Sequence, residues 1–255
     1  MATFRLEIGP LATLTLDRPP ANALTRDFFI ELLAALERLA APEVRAVIVT
    51  GTDRFFSAGL DLFEVFAYDP DAFADFTRRF DDGFAALFAF PKPVVAAVNG
   101  HAIAGGAVLA ACADVRLMGD GAGRVGLTEI LLGVPFPASV FEIMRSASDG
   151  PHFAELLYHG RTHPPREACD RRLVDVVVPA HELVIRAHAA AEELGMRPAA
   201  AFAATKRALR AQALARMTAA RAGGGDPVWD IWRAPETRAA VEAYKQRTLG
   251  RKTAT

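Results

Sequence analysis

Asn99-Gly100-His101-Ala102-Ile103-Ala104-Gly105-Gly106 is the stretch whose reading decides the fold. It leaves an apolar run, Pro93 to Asn99, that reads as a buried strand, and it opens a helix of small residues that reaches about Ala113. A second glycine-bearing turn, Phe55-Phe56-Ser57-Ala58-Gly59-Leu60-Asp61-Leu62, follows the β-branched strand Val44 to Thr50 in the same way. Two strand-to-helix turns of one kind predict an α/β chain.

The neighbouring segments fit that class. Phe4 to Ile8 and Leu11 to Asp17 alternate apolar with polar residues around Gly9-Pro10, the pattern of a hairpin with one buried face. Thr25 is placed to cap a helix in which Phe28, Leu32, Leu36 and Leu39 recur every three or four residues. Pro70 to Phe90 reads as a second helix with Phe73, Phe76, Phe80, Phe84 and Leu87 on one face. Asp114 to Met118 is a short strand and Leu173 to Val178 the last clear one. From Ala180 the pattern is helical, interrupted at Gly195, Pro198, Gly223 to Gly225 and Pro235. The predicted organisation is an α/β core over residues 1–196 and a helical region over residues 197–255.

With 255 residues, of which 52% are hydrophobic, the chain can bury a large core without staples. Its two cysteines, Cys112 and Cys169, belong to no ligand-spaced cluster, and both thiols are expected to be structural in a reducing, cytoplasmic setting. The net charge of -1, with both signs interspersed, argues against nucleic acid or an anionic membrane as partner. Met1 to Arg5 contains no apolar signal core, and no uncharged run is long enough to span a bilayer.

A helix N-terminus presents unpaired N–H groups, so two such turns brought together would cradle an oxygen that becomes negative. Glycine also serves such turns for purely steric reasons, and either turn alone is compatible with that plainer role. Other chemistries find less support. No Gly-x-Gly-x-x-Gly fingerprint opens a strand-helix unit as a dinucleotide site requires. Ser57 and Ser139 lack a nucleophile elbow and a paired histidine.

Taken together, Arg18-Pro19-Pro20-Ala21-Asn22-Ala23-Leu24, Phe56 to Asp61, Lys92 to Gly100, Ala104-Gly105-Gly106 and Glu129-Ile130-Leu131-Leu132-Gly133 resemble, in order, the motifs of the enoyl-CoA hydratase/isomerase (crotonase) superfamily. That resemblance covers nearly the whole chain. It implies a crotonase-like spiral of repeated strand-strand-helix units, a C-terminal helical region that makes trimers or dimers of trimers, and acyl-CoA thioester substrates with no separate cofactor or metal. Carried over by position, it puts the oxyanion hole on the backbone N–H groups of Leu60 and Gly105. It puts the Ala58 carbonyl at the adenine of CoA, with Gly59, Asp61, Gly106, Val108 and Phe136 around the substrate.

The acid/base positions set this chain apart. Hydratases of the family carry one glutamate three residues after the oxyanion glycine and a second after the next strand. Here the first position is Val108 and the second is Glu129. Syn hydration needs a water held between two carboxylates, whereas migration of a double bond from the 3,4 to the 2,3 position needs one base beside an enolate. The expectation is therefore a single-glutamate enoyl-CoA isomerase with Glu129 as base. A hydratase of low efficiency and an acyl-CoA-binding protein without turnover are the alternatives. Apolar neighbours of Glu129 are expected to raise its pKa.

Glu142 and Asp149 are weaker candidate bases, read as solvated surface charges, and His101 is a candidate for the acyl pocket whose favoured reading is a packed, hydrogen-bonded core histidine. Two lysines that family members place near the CoA phosphates are replaced by Pro20 and Phe63, so Arg18, Arg54, Lys245 and Arg247 are the candidate cations. Phe66, Phe84, Phe136 and Phe141 are candidates to shape the acyl pocket.

Overall fold

The computed structural model describes residues 2–148, 150–222 and 226–252, with side chains described up to residue 246. The hairpin of β1 (Phe4–Glu7) and β2 (Leu11–Leu16) is antiparallel, with Phe4 opposite Leu16. Thr25 caps α1 (Arg26–Leu39), its hydroxyl accepting from the Phe28 N–H at 3.1 Å. β3 (Ala46–Thr50), β4 (Phe55–Ser57), α2 (Leu62–Val65) and α3 (Pro70–Ala89) follow. Next come β5 (Val94–Val98), β6 (His101–Ile103) and α4 (Gly105–Ala111), then β7 (Val115–Gly119), β8 (Val125–Gly126) and a 3-10 turn at Glu129–Leu132.

The same order therefore recurs: a strand in a large sheet, a strand in a small one, then helix. The large sheet runs β1-β2-β3-β5-β7-β10, and the small one runs β4-β6-β8-β9. The remaining elements are α5 (Ala138–Ala147), α6 (Pro151–His159), β9 (Thr162–His163), α7 (Pro165–Asp170), β10 (Val176–Val178), α8 (Leu183–Gly195), α9 (Ala199–Ala222), α10 (Val228–Arg233) and α11 (Pro235–Lys252).

Strand periodicity explains the two cores. Val47 and Val49 of β3 face the main core with Phe29, Phe76 and Phe84. Ala46 and Ile48 face the other way, against Leu183, Ala187 and Ala191 of α8. The phenylalanine stripe of α3 is buried as its spacing predicts, with Phe80 and Phe84 edge to face at 4.8 Å.

Helix α9 lies against α3 and α5, locked by charges that the core encloses. Asp114 receives Lys206 Nζ at 2.7 Å and Arg210 Nη2 at 2.8 Å, and both cations are buried. Helix α10 folds back onto the core, where Trp229 meets Phe73, Phe76 and Phe80.

One reading is corrected here. Glu142, expected as a surface charge, is buried and paired with Arg216 of α9 at 2.6 Å. Asp149 lies outside the described residues.

Candidate active site

The segment Arg18 to Leu24 scaffolds the first turn. Asn22 Nδ2 donates to the Phe55 carbonyl at 2.9 Å, and its Oδ1 accepts from the Arg18 N–H. Leu24 pairs with the turn on both sides, its N–H donating to the Gly59 carbonyl at 2.8 Å and its carbonyl accepting from the Asp61 N–H at 2.9 Å. Ser57 Oγ accepts from the Gly59 N–H. The amides of Gly59 and Asp61 are thus engaged, while that of Leu60 between them meets no acceptor among the described residues.

The second turn follows the same logic. The Ala104 N–H donates to the Gly126 carbonyl at 2.8 Å, and the N–H of Gly105, the first residue of α4, meets no acceptor among the described residues. Ala104 holds φ 54° and ψ -125°, a conformation an L-residue reaches only under strain of about 1–3 kcal/mol. The two turns touch. A β-carbon on Gly59 (φ +86°) would lie 2.9 Å from the Gly105 nitrogen, and one on Gly105 would lie 3.7 Å from the Leu60 nitrogen.

Leu60 and Gly105 both line one cavity of about 640 Å³, whose wall also includes Ala58, Asp61, Glu129 and Phe136. Glu129 begins the 3-10 turn, which ends on Gly133 at φ 68° and is tied to α11 by Thr237 Oγ1. Its Oε2 is sealed from solvent and has no hydrogen-bond partner among the described residues. Burial pushes the carboxyl up from 4.5 to about 7, against smaller lowering by the backbone N–H groups of Glu129 and Thr128. Among the described residues, the only other carboxylate on the cavity wall, Asp61, is occupied. Its Oδ1 caps α2 through the Phe63 and Glu64 N–H groups, and its Oδ2 accepts from Arg18 at 2.9 Å.

Several expected contacts lie elsewhere. Gly59 and Gly106 serve packing rather than the cavity wall: a β-carbon on Gly106 would meet the Ser57 carbonyl at 2.2 Å. Val108 is fully enclosed in the core and does not line the cavity, because α4 turns that position inward. His101 stacks on Phe55 at 5.1 Å from β6, away from the cavity, and burial followed by Arg54 and Arg124 lowers its pKa. Phe84 belongs to the core, Phe66 stacks on Trp232, and Phe141 meets Phe153 edge to face.

The cavity wall also holds Phe80, which its helical spacing marks only as core, and Phe63, Val140, Trp232 and Tyr244, which the sequence does not mark as lining. Of the candidate cations, Arg18 lines the cavity, and Lys245 Nζ stands 5.2 Å from the centre of the Phe63 ring. The Arg247 side chain lies outside those described. No group of three or more His, Cys, Asp or Glu side chains is placed to hold a metal ion among the described residues, and no described helix is long and apolar enough to cross a membrane.

Residues 9–248 match the family model described as enoyl-CoA hydratase/isomerase. A probable enoyl-CoA hydratase of Mycobacterium tuberculosis is 38% identical over 202 residues, covering 77% of this chain and 75% of that protein. Enoyl-CoA delta isomerase 1 of Rattus norvegicus mitochondria is 31% identical over 176 residues, covering 68% of this chain and 61% of its own. The crystal structure of human mitochondrial delta3-delta2-enoyl-CoA isomerase superposes with a TM-score of 0.92 at 26% identity, covering 98% of this chain and 100% of that one.

Proposed function

The chain belongs to the enoyl-CoA hydratase/isomerase family, and we propose that within it this enzyme moves the double bond of a 3-enoyl-CoA to the 2,3 position with Glu129 as its one base. The observation that supports this reading is the unpartnered Oε2 of Glu129, in a cavity whose other carboxylate is already held by Arg18 and the α2 cap. A hydratase would need a second carboxylate to fix its water, and Val108 stands in the core where that group would be.

The thioester oxygen accepts from the N–H groups of Leu60 and Gly105. The Glu129 carboxylate takes a proton from C2 and becomes a carboxylic acid. The C–H electron pair then delocalises into the thioester and the 3,4 double bond as a dienolate. When the electrons return, C4 takes the proton back from Glu129, the 2,3 double bond forms, and the carboxylate is regenerated. Each backbone donor to the developing oxyanion is worth about 10²–10³ in rate. A carboxyl near 7 is basic enough to accept the C2 proton and acidic enough to return it.

For CoA, the reading uses the Ala58 carbonyl at the adenine, with Arg18 and Lys245 as cations toward the phosphates. Lys245, reaching Phe63 from α11, supplies from the C-terminal region a charge that position 63 itself lacks.

The test is Glu129→Gln assayed on 3-enoyl-CoA, with products separated. The variant should lose at least about 10³-fold in kcat, and the parent enzyme should yield 2-enoyl-CoA well ahead of any 3-hydroxyacyl-CoA. Unchanged turnover in the variant removes Glu129 from the mechanism.

A further inference from the structure

The cavity that holds Glu129 is also walled by Phe80 of α3, Val140 of α5, Phe136 and Trp232, of which Phe80, Val140 and Trp232 are at most 3% exposed and belong to the main core. These are core side chains that face an open space. None carries a charge, and the one polar atom in the group, Trp232 Nε1, is spent on the Pro135 carbonyl at 2.9 Å.

The wall is also stiff. Phe80 is packed edge to face against Phe84 at 4.8 Å and Trp229 at 5.4 Å. Trp232 lies against Trp229 at 5.0 Å and stacks on Phe66 at 6.2 Å with a 17° interplanar angle. Aromatic pairs of this kind favour one arrangement over its neighbours, so the wall cannot retreat freely from a longer guest.

We infer that this wall is the acyl-end stop of the cavity, that the acyl group it takes is an unsubstituted hydrocarbon chain, and that Trp232 sets the chain's maximum length. The inference rests on the acyl-CoA reading above and deepens it. A hydroxyl or carboxylate at the tail would lose its water and meet no partner at this end, an uncompensated penalty that disfavours such acyl groups. Each methylene buried before the stop contributes about 0.8 kcal/mol, or roughly fourfold in kcat/KM, and that increment vanishes where the chain meets the indole. The residue that sets the limit comes from α10, so the C-terminal region takes part in choosing the substrate as well as in covering the core.

The test is a series of straight-chain 3-enoyl-CoA substrates, with binding of the matching saturated acyl-CoA esters measured in parallel. Trp232→Leu opens the wall and should raise the long-to-short ratio of kcat/KM by about tenfold or more. Val140→Phe narrows the space from the opposite side, and should lower the same ratio even if the tryptophan variant does not fold. Esters with a terminal hydroxyl or carboxylate should bind at least tenfold more weakly than their hydrocarbon counterparts. A ratio that neither variant moves, or equal binding of polar-tailed esters, overturns the inference. Length-dependent binding without turnover on any substrate would instead sink the isomerase reading and leave the acyl stop standing.

Discussion

Gly59 and Gly105 stand so close that a β-carbon on Gly59 would fall 2.9 Å from the Gly105 nitrogen. This contact joins two turns that are distant in the sequence, and Leu60 and Gly105 line one cavity. Gly59→Ala should therefore separate the two donors while also straining a backbone held at φ +86°. The expected outcome is a loss of about 10²–10³-fold in kcat with KM changed much less, since the oxyanion develops only after binding. Steady-state kinetics on 3-enoyl-CoA checks this, and an undiminished kcat would show that the two turns do not act on one oxygen.

The carboxyl of Glu129, raised from 4.5 to about 7 by burial, gives two pH effects of opposite sense. As base, it must be ionised, so kcat/KM should rise with pH, inflect at about 7 and level off above. As a buried acid with a raised pKa, it favours the folded state when protonated. Its contribution to stability is complete below 4.5, declines through the interval, and is gone above about 7. Glu129→Gln removes the cost of burying the charge, so it should stabilise the protein above pH 7 by up to about 3 kcal/mol and do little near pH 4.5. Chemical denaturation at both pH values measures it; equal effects at the two would contradict a sealed carboxylate.

Much of this was legible in the residues. Four strands of the large sheet, β2, β3, β5 and β7, are five or six residues long with regular apolar patterns, and the capped helices around them have unambiguous spacing, so both could be read directly. The small sheet could not. Its strands are two or three residues long, so β4 and β6 read as parts of the glycine turns that they carry. The charge of Glu142 looked solvated because its partner, Arg216, is distant in sequence and arrives only when α9 docks. Trp232 and Tyr244 escaped for the same reason. Their place on the cavity depends on how the last helices return over the core, which no local period encodes.

That return is fastened by the buried charges at Asp114. The carboxylate balances Lys206 and Arg210 together, both nearly inaccessible, and burial already pushes the Lys206 ammonium down to about 8. Asp114→Asn would leave two cations enclosed without an anion. It should cost about 3–5 kcal/mol, well beyond what a surface ion pair is worth. A urea midpoint shifted accordingly, with the slope unchanged, is the expected result; a loss under about 1 kcal/mol would mean that α9 is held by its other contacts and not by the charges at Asp114.

Restoring a hydratase-like carboxylate tests why this chain has one acid where others have two. If Val108 were simply a lost side chain at the cavity wall, Val108→Glu would add a second carboxylate beside Glu129 and bring water addition with it. Val108 is instead fully buried inside α4, one turn behind a helix start that Gly106 pins against the Ser57 carbonyl. A glutamate there enters the core without a partner, so the variant should lose several kcal/mol of stability and bind its proton far above the ordinary carboxylate range. Thermal melting should report the loss, and product analysis on 2-enoyl-CoA should find no gain in hydration. A stable variant that hydrates its substrate would show that position 108 reaches the cavity once it is long enough, and that the enzyme is a single substitution away from a two-carboxylate site.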